Sequence, residues 1–230
     1  MKKIIILTIS IILFQFSYSQ NHFGLTAGSN FSYLTTDSSS LPIKYGKPGP
    51  YGGIFWNITN GYNSYVEVGA YYSLQGAQFK SENFVNNTDS LKTEKYTFTI
   101  NSNIHYLKIP VVWKKTYGDW YTKLGFYGEI ALLKTSKWEK NHLFLDTNYS
   151  ETGTYGSFAE NLRVYDMGLT MALGVQFSIT NNIDFFLNFE YNLGFLNLTP
   201  NEIVQQNKMY NRFFTISTGI IFNKTKYKYR

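Results

Sequence analysis

The sequence predicts an all-β fold, an eight-stranded antiparallel up-and-down transmembrane β-barrel, and three observations lead there. The first is residues 183–198, IDFFLNFEYNLGFLNL, where Ile183, Phe185, Leu187, Phe189, Tyr191, Leu193 and Phe195 share one parity and Asp184, Asn188, Glu190, Asn192 and Gly194 hold the other. Strict alternation is the mark of a strand with two unlike faces. A soluble sheet points its apolar face inward and studs the outer one with Lys and Glu. Here the polar face is Asn, Gly and an occasional carboxylate, which suits a narrow lumen, and the row of large apolar side chains suits lipid. The second is composition: 20 Tyr and 19 Phe in 230 residues, yet a mean hydropathy of −0.24. Only alternate residues of a barrel strand face lipid, so both can hold together. The third is a regular exchange of long and short connections along the chain.

The N-terminal residues are read as a leader. Lys2 and Lys3 precede an apolar run from Ile4 to Phe16, and Ser17 and Ser19 supply the small residues before a cut after Ser19. The run is too short for a spanning helix, which needs about 20 apolar residues. Residues 20–222 then form the barrel domain and 223–230, NKTKYKYR, a basic tail.

The first strand, 22–34, sends Phe23, Leu25, Ala27, Phe31 and Tyr33 one way and Gly24, Thr26, Gly28, Asn30 and Ser32 the other. A Ser, Gly and Pro-rich loop is expected at 35–50. Strand two, 51–58, puts Ile54, Trp56 and Ile58 outward and ends in a tight turn at Asn60–Gly61. Strand three, 64–80, directs Val66, Val68, Ala70, Tyr72 and Leu74 out and Glu67, Gly69, Tyr71, Ser73 and Gln75 in, before a polar loop at about 81–93. In strand four, 94–115, Tyr96, Phe98, Ile100 and Ile104 are even but Leu107, Ile109, Val111 and Trp113 odd. A β-bulge near Tyr106 is therefore expected, after which Lys108 enters the lumen.

Strand five, 120–133, has Leu124, Phe126, Ile130 and Leu132 outward and Lys123, Gly125, Tyr127, Glu129 and Ala131 inward. The longest loop, about 134–163, follows. Strand six alternates from Tyr165 to Ile179, strand seven is the stretch at 183–198, and strand eight, 211–222, turns Phe214, Ile216, Ile220 and Phe222 outward. Long loops follow strands one, three, five and seven, and tight turns follow two, four and six. In outer-membrane barrels the long loops face outside and both termini lie in the periplasm. The contrasting fold is an exported soluble β-sandwich.

Charge and chemistry narrow the function. With Lys2 and Lys3 set aside, 19 Lys and Arg face 15 Asp and Glu, a formal charge of +4, and the cations lie in loops, at strand ends and in the tail. Nucleic-acid binding is not expected from so dispersed a charge. There is no Cys, hence no disulfide or thiolate site, and barrel closure must secure the fold. No cofactor or metal is expected, because His22, His105 and His142 lie on different elements. His105 follows Ser102 by three residues, but the predicted parity turns Ser102 out and His105 in; His142 and Asp146 have no third partner. The lumen carries the sharper feature, a polar network of Glu67, Lys108, Lys123, Tyr127, Glu129, Asp184, Asn188 and Glu190. Charges in so narrow a bore are tolerable when paired. They form a salt-bridged plug, with a selective pore as the alternative.

The order of short motifs resembles the PorT-like family of Gram-negative outer-membrane β-barrel proteins. It rests on FGLTAGSNFSYL (23–34), YGGIFWNI (51–58), YVEVGAYYSLQGAQF (65–79), YLKIPVVWK (106–114), YTKLGFYGEI (121–130), MGLTMALGVQF (167–177), FEYNLGFLNL (189–198) and FTISTGIIF (214–222). The resemblance implies a barrel whose family name comes from a protein needed for secretion across the outer membrane. One departure is that Phe222 is not terminal: either it or Tyr229 serves as the closing aromatic. The expected role is structural or partner-binding, extending to an accessory part in envelope transport, with outer-membrane lipid and other envelope proteins as partners and the oligomeric state open. A lipid-modifying outer-membrane enzyme and a small channel are the alternatives.

Overall fold

The computed structural model describes residues 22–36, 43–87, 92–143, 148–154, 162–199 and 208–223. The expected leader, Asp146 and tail residues 224–230 lie outside them. Among the described residues nine strands are formed: β1 (His22–Thr36), β2 (Ile43–Thr59), β3 (Ser64–Asn87), β4 (Lys92–Tyr117), β5 (Trp120–Leu143), β6 (Asn148–Thr154), β7 (Tyr165–Thr180), β8 (Ile183–Gly194) and β9 (Met209–Phe222). Eight of them close a barrel in which each strand pairs antiparallel with its neighbours and β1 pairs with β9. The ninth, β6, pairs with the far end of β5, inside the region expected to be a loop.

Facing follows the alternation. Along β8 the even residues Asp184 to Gly194 are buried, while Phe185, Leu187 and Phe189 are exposed. In β9, Phe214, Ile216 and Phe222 are exposed and Phe213, Thr215 and Ser217 are buried. Exposed aromatics ring both ends of the outward surface, with Phe23 packed on Trp56 at 5.3 Å and on Phe222 at 6.1 Å at the short-turn end. Such girdles mark the two membrane boundaries. Phe222 thus closes the barrel wall as an outward girdle residue. The turn between β4 and β5 is a two-residue hairpin loop, Gly118–Asp119, with Gly118 at φ 62°, a left-handed conformation that glycine adopts without strain.

The loops expected at about 81–93 and from 134 are shortened, since β3 runs to Asn87, β4 begins at Lys92 and β5 runs to Leu143; three further expectations are corrected. Residues 43–50 are strand rather than loop, and the ladder to β3 breaks between Gly46 and Tyr51 while pairing with β1 runs on. Pro48 and Pro50 have no N–H to give, which accounts for the one-sided break. β8 ends at Gly194, and Leu198 is fully buried, its N–H bonding the carbonyl of Met209 at 2.8 Å. The slip near Tyr106 lies on the other strand. His105 pairs with Leu133 and Tyr106 with Ala131, so Leu132 is the extra residue, on β5. Leu132 and Leu133 are both exposed, and the buried parity of β5 changes from Glu129 to Ser136. β4 itself keeps its even residues inside from Ser102 to Lys114. Ile104 is therefore a lumen residue.

Candidate functional site

The lumen is the site that the sequence singles out, and it is built in layers. At the short-turn end Lys114 donates to Gln176 Oε1 at 2.8 Å, and Gln176 donates to Asp184 Oδ2 at 2.7 Å, which also receives Asn223 at 2.7 Å. An opening of about 180 Å³ lies among Asn57, Lys114, Gln176 and Asp184.

Above it the bore is blocked. Tyr51, Phe55, Tyr71, Tyr121, Phe186 and Ile221 form one buried cluster, with Phe55 edge-on to Phe186 at 5.6 Å and Tyr51 stacked on Tyr71 at 5.2 Å. Inward glycines make room for these rings. A Cβ added at Gly24 would sit 2.2 Å from Cζ of Phe55, and one at Gly174 would sit 2.2 Å from Cζ of Tyr121. Glycine in a strand interior often marks such a close approach.

Two ion pairs thread the aromatic layer. Lys123 Nζ lies 2.7 Å from Glu67 Oε1, with side chains 7% and 3% exposed, and Lys108 Nζ lies 2.5 Å from Glu190 Oε1 and 2.7 Å from Asn192 Oδ1. The cations also rest on rings: Lys108 is 5.0 Å from the centre of Tyr127 and 4.9 Å from that of Phe213, and Lys123 is 5.4 Å from that of Tyr121. Ring faces are negative, so Lys108 is solvated by carboxylate, amide and π-cloud together, and Lys123 by carboxylate and π-cloud. Above Lys123 a network of amides, hydroxyls and the Glu129 carboxyl takes over. Gln75 donates to Glu129 at 2.8 Å and to Ser73 at 2.7 Å, Asn30 donates to Ser73 at 2.7 Å, Thr215 donates to Asn30 at 2.7 Å, and Asn211 donates to Gln75.

The long-loop end is capped by apolar packing: Leu34, Phe79, Ile104, Tyr106, Leu162 and Leu198 are buried against one another. One void beside the Glu67–Lys123 pair and another under this cap measure about 10 Å³ each, room for roughly one water.

All eight expected lumen residues are buried: Glu67, Lys108, Lys123, Tyr127, Glu129, Asp184, Asn188 and Glu190. They do not form one network of ion pairs. Glu129 is held by Gln75, Asp184 by amides, and Asn188 accepts from the Tyr121 hydroxyl at 3.2 Å. Tyr127 contributes its ring, since its hydroxyl has no partner among the described residues. Lys114 and Asp166 join this lumen although they stand outside the expected polar network, as do the inward rings of Phe55, Tyr121 and Phe186. Asp166 faces Glu129 directly in the β5–β7 register, and Lys114 shares parity with Lys108. The Ser102 and His105 assignment is reversed: Ser102 is buried and bonds Ser136 at 3.2 Å, while His105 sits outside against the Tyr72 hydroxyl at 2.7 Å. They still lie on opposite faces of β4. The side chain of His142 lies outside the described residues.

Three solved structures illustrate what the chain is similar to. Neisserial surface protein A matches at 11% identity and TM-score 0.40, over 88% of this chain and 97% of that one. Ail, the attachment invasion locus protein of Yersinia pestis, matches at 12% and 0.35, over 88% and 99%. The outer membrane protein OprG of Pseudomonas aeruginosa matches at 10% and 0.37, over 90% and 98%. None of the curated proteins matches the chain. The model of the outer membrane protein beta-barrel domain matches residues 13–199, and with the closed barrel and its lipid-facing rows in view, the chain belongs to that family of outer-membrane proteins.

Proposed function

We propose that this is a closed, non-enzymatic outer-membrane barrel with a structural or partner-binding role, accessory to envelope transport or secretion. The filled bore carries the reading. Lys108 is tied to Glu190 and Lys123 to Glu67, and both pairs lie among the rings of Tyr51, Phe55, Phe186 and Tyr121. The long strands support the partner-binding side. A tilted membrane strand needs about 9–11 residues, whereas β3, β4 and β5 have 24, 26 and 24. More than half of each is therefore available beyond the bilayer, where Phe98 stacks on Trp138 at 6.1 Å. Residues 1–19 act as a cleaved leader in this proposal, and kinship with the PorT-like barrels is supported by motif order.

The test is crosslinking in intact envelopes from a photoreactive residue placed at Thr135 or Thr152, on the outer ends of β5 and β6. Recovery of the same envelope protein from both positions supports the role. Altered lipid A on deletion of the protein, with no crosslinked partner, would favour a lipid-modifying enzyme instead.

A further inference from the structure

The outward row of β9 carries a cation that the lumen does not use. From the exposed Lys208 it runs through Tyr210, Arg212, Phe214 and Ile216 to Phe222. Arg212 is ten residues from the girdle residue Phe222. At about 3.3 Å per residue and a tilt of about 40°, that separation is roughly 25 Å along the barrel axis, the height of the apolar band. The guanidinium therefore stands at the outer boundary of the hydrocarbon.

Its neighbours are arranged around it. Tyr33 of β1 is its register partner on one side and Leu193 of β8 on the other. The Tyr33 hydroxyl interacts with both Arg212 and Tyr191. Below them Phe214 packs on Tyr191 at 4.8 Å, on Phe189 at 5.9 Å and on Tyr33 at 6.4 Å, an aromatic floor continuous with the lipid-facing rows. Among the described residues no carboxylate lies within ion-pair distance of Arg212, and its Nε is buried without a hydrogen-bond partner, which leaves the outer nitrogens of the guanidinium to meet a ligand.

We propose that Arg212, Tyr33 and Tyr191 bind the phosphate of an outer-leaflet lipid headgroup, with the acyl chains lying on Phe214 and Ile216. A guanidinium at the edge of a low-dielectric layer calls for an anion, and its fork matches phosphate oxygens in a bidentate geometry. A free anion would satisfy the charge but leave the aromatic floor unused, whereas a phosphorylated lipid satisfies both. Lys208 extends the positive charge into the headgroup layer.

The full-length protein, matured and folded into phosphatidylcholine vesicles doped with diphosphoryl lipid A, is extracted in mild detergent and weighed intact by mass spectrometry. The barrel should retain one lipid A, and Arg212→Gln should lower that occupancy about tenfold or more. Arg212→Lys, which keeps the charge and loses the fork, should fall between. Lys115→Gln, at the opposite boundary, should retain lipid as the unmodified protein does. Three results would overturn the site: equal retention by Arg212→Gln, equal retention of the dephosphorylated lipid, or an equal loss in Lys115→Gln. Displacement of lipid by inorganic phosphate would also overturn it, by assigning the cation to a free anion.

Discussion

Replacing Lys123 by Ala removes one half of a buried pair and leaves the other in place. Glu67 is 2% exposed, and after the change it keeps only a 3.4 Å contact from the Tyr71 hydroxyl in place of the 2.7 Å bond from the ammonium. Losing one partner of a buried ion pair typically costs about 3–5 kcal/mol, because a carboxylate is left desolvated without compensation. The Tyr71 hydroxyl and the space vacated by the lysine stem, which can admit water, place the expected loss near the lower end. Equilibrium urea unfolding in lipid vesicles, followed by tryptophan fluorescence, reads it directly. The double variant Lys123→Ala with Glu67→Gln should recover part of the loss, since no ion is then stranded. The cycle between Lys123 and Glu129 should show little coupling, because Glu129 is bonded by Gln75 instead. An unchanged unfolding midpoint for Lys123→Ala, or strict additivity in the Glu67 cycle, would refute the paired-plug account.

Leu187→Arg, in the middle of a lipid-facing row, should cost about 2–4 kcal/mol in the same assay, while Ile183→Arg at the boundary should cost about 0–1; equal costs would mean that these faces do not meet a bilayer. Gly174→Val drives a side chain into the Tyr121 ring and should destabilise by about 1–3 kcal/mol, and near-native stability would show that the ring does not lie there. Deleting Leu132 removes the β5 bulge but keeps Ala131 and Lys134 facing inward, so the barrel should still fold in a heat-dependent gel-shift assay. Deleting Tyr106 reverses the facing of half of β4 and should abolish folding; the opposite pair of outcomes would put the bulge on β4.

Much of the barrel was legible because facing is a local property. Asp184, Asn188 and Glu190 could be placed inside from their own stretch of β8, without knowledge of any neighbour. What failed required distant partners. Ile104 and Leu107 are both apolar with opposite parity, and a single strand cannot say which of them meets lipid and which meets an apolar plug built from β1, β3 and β9. The bulge was displaced to the wrong strand for that reason. Likewise Lys123 had Glu67 and Glu129 on the same lumen face as rival partners, and only its height relative to β3 picks Glu67. Phe55 and Phe186 look lipid-facing by type. Their parity pointed inward, and the glycines that accommodate such rings, Gly24 and Gly219, lie on strands remote in sequence.

Side chains, and not loops alone, close this barrel. Single-channel recording of the purified, unmodified protein in a planar bilayer tests it most directly. The layered ion pairs and rings predict no steady conductance at any applied voltage that the bilayer withstands. Large, stable and reproducible current steps would contradict the account and make the lumen a pore.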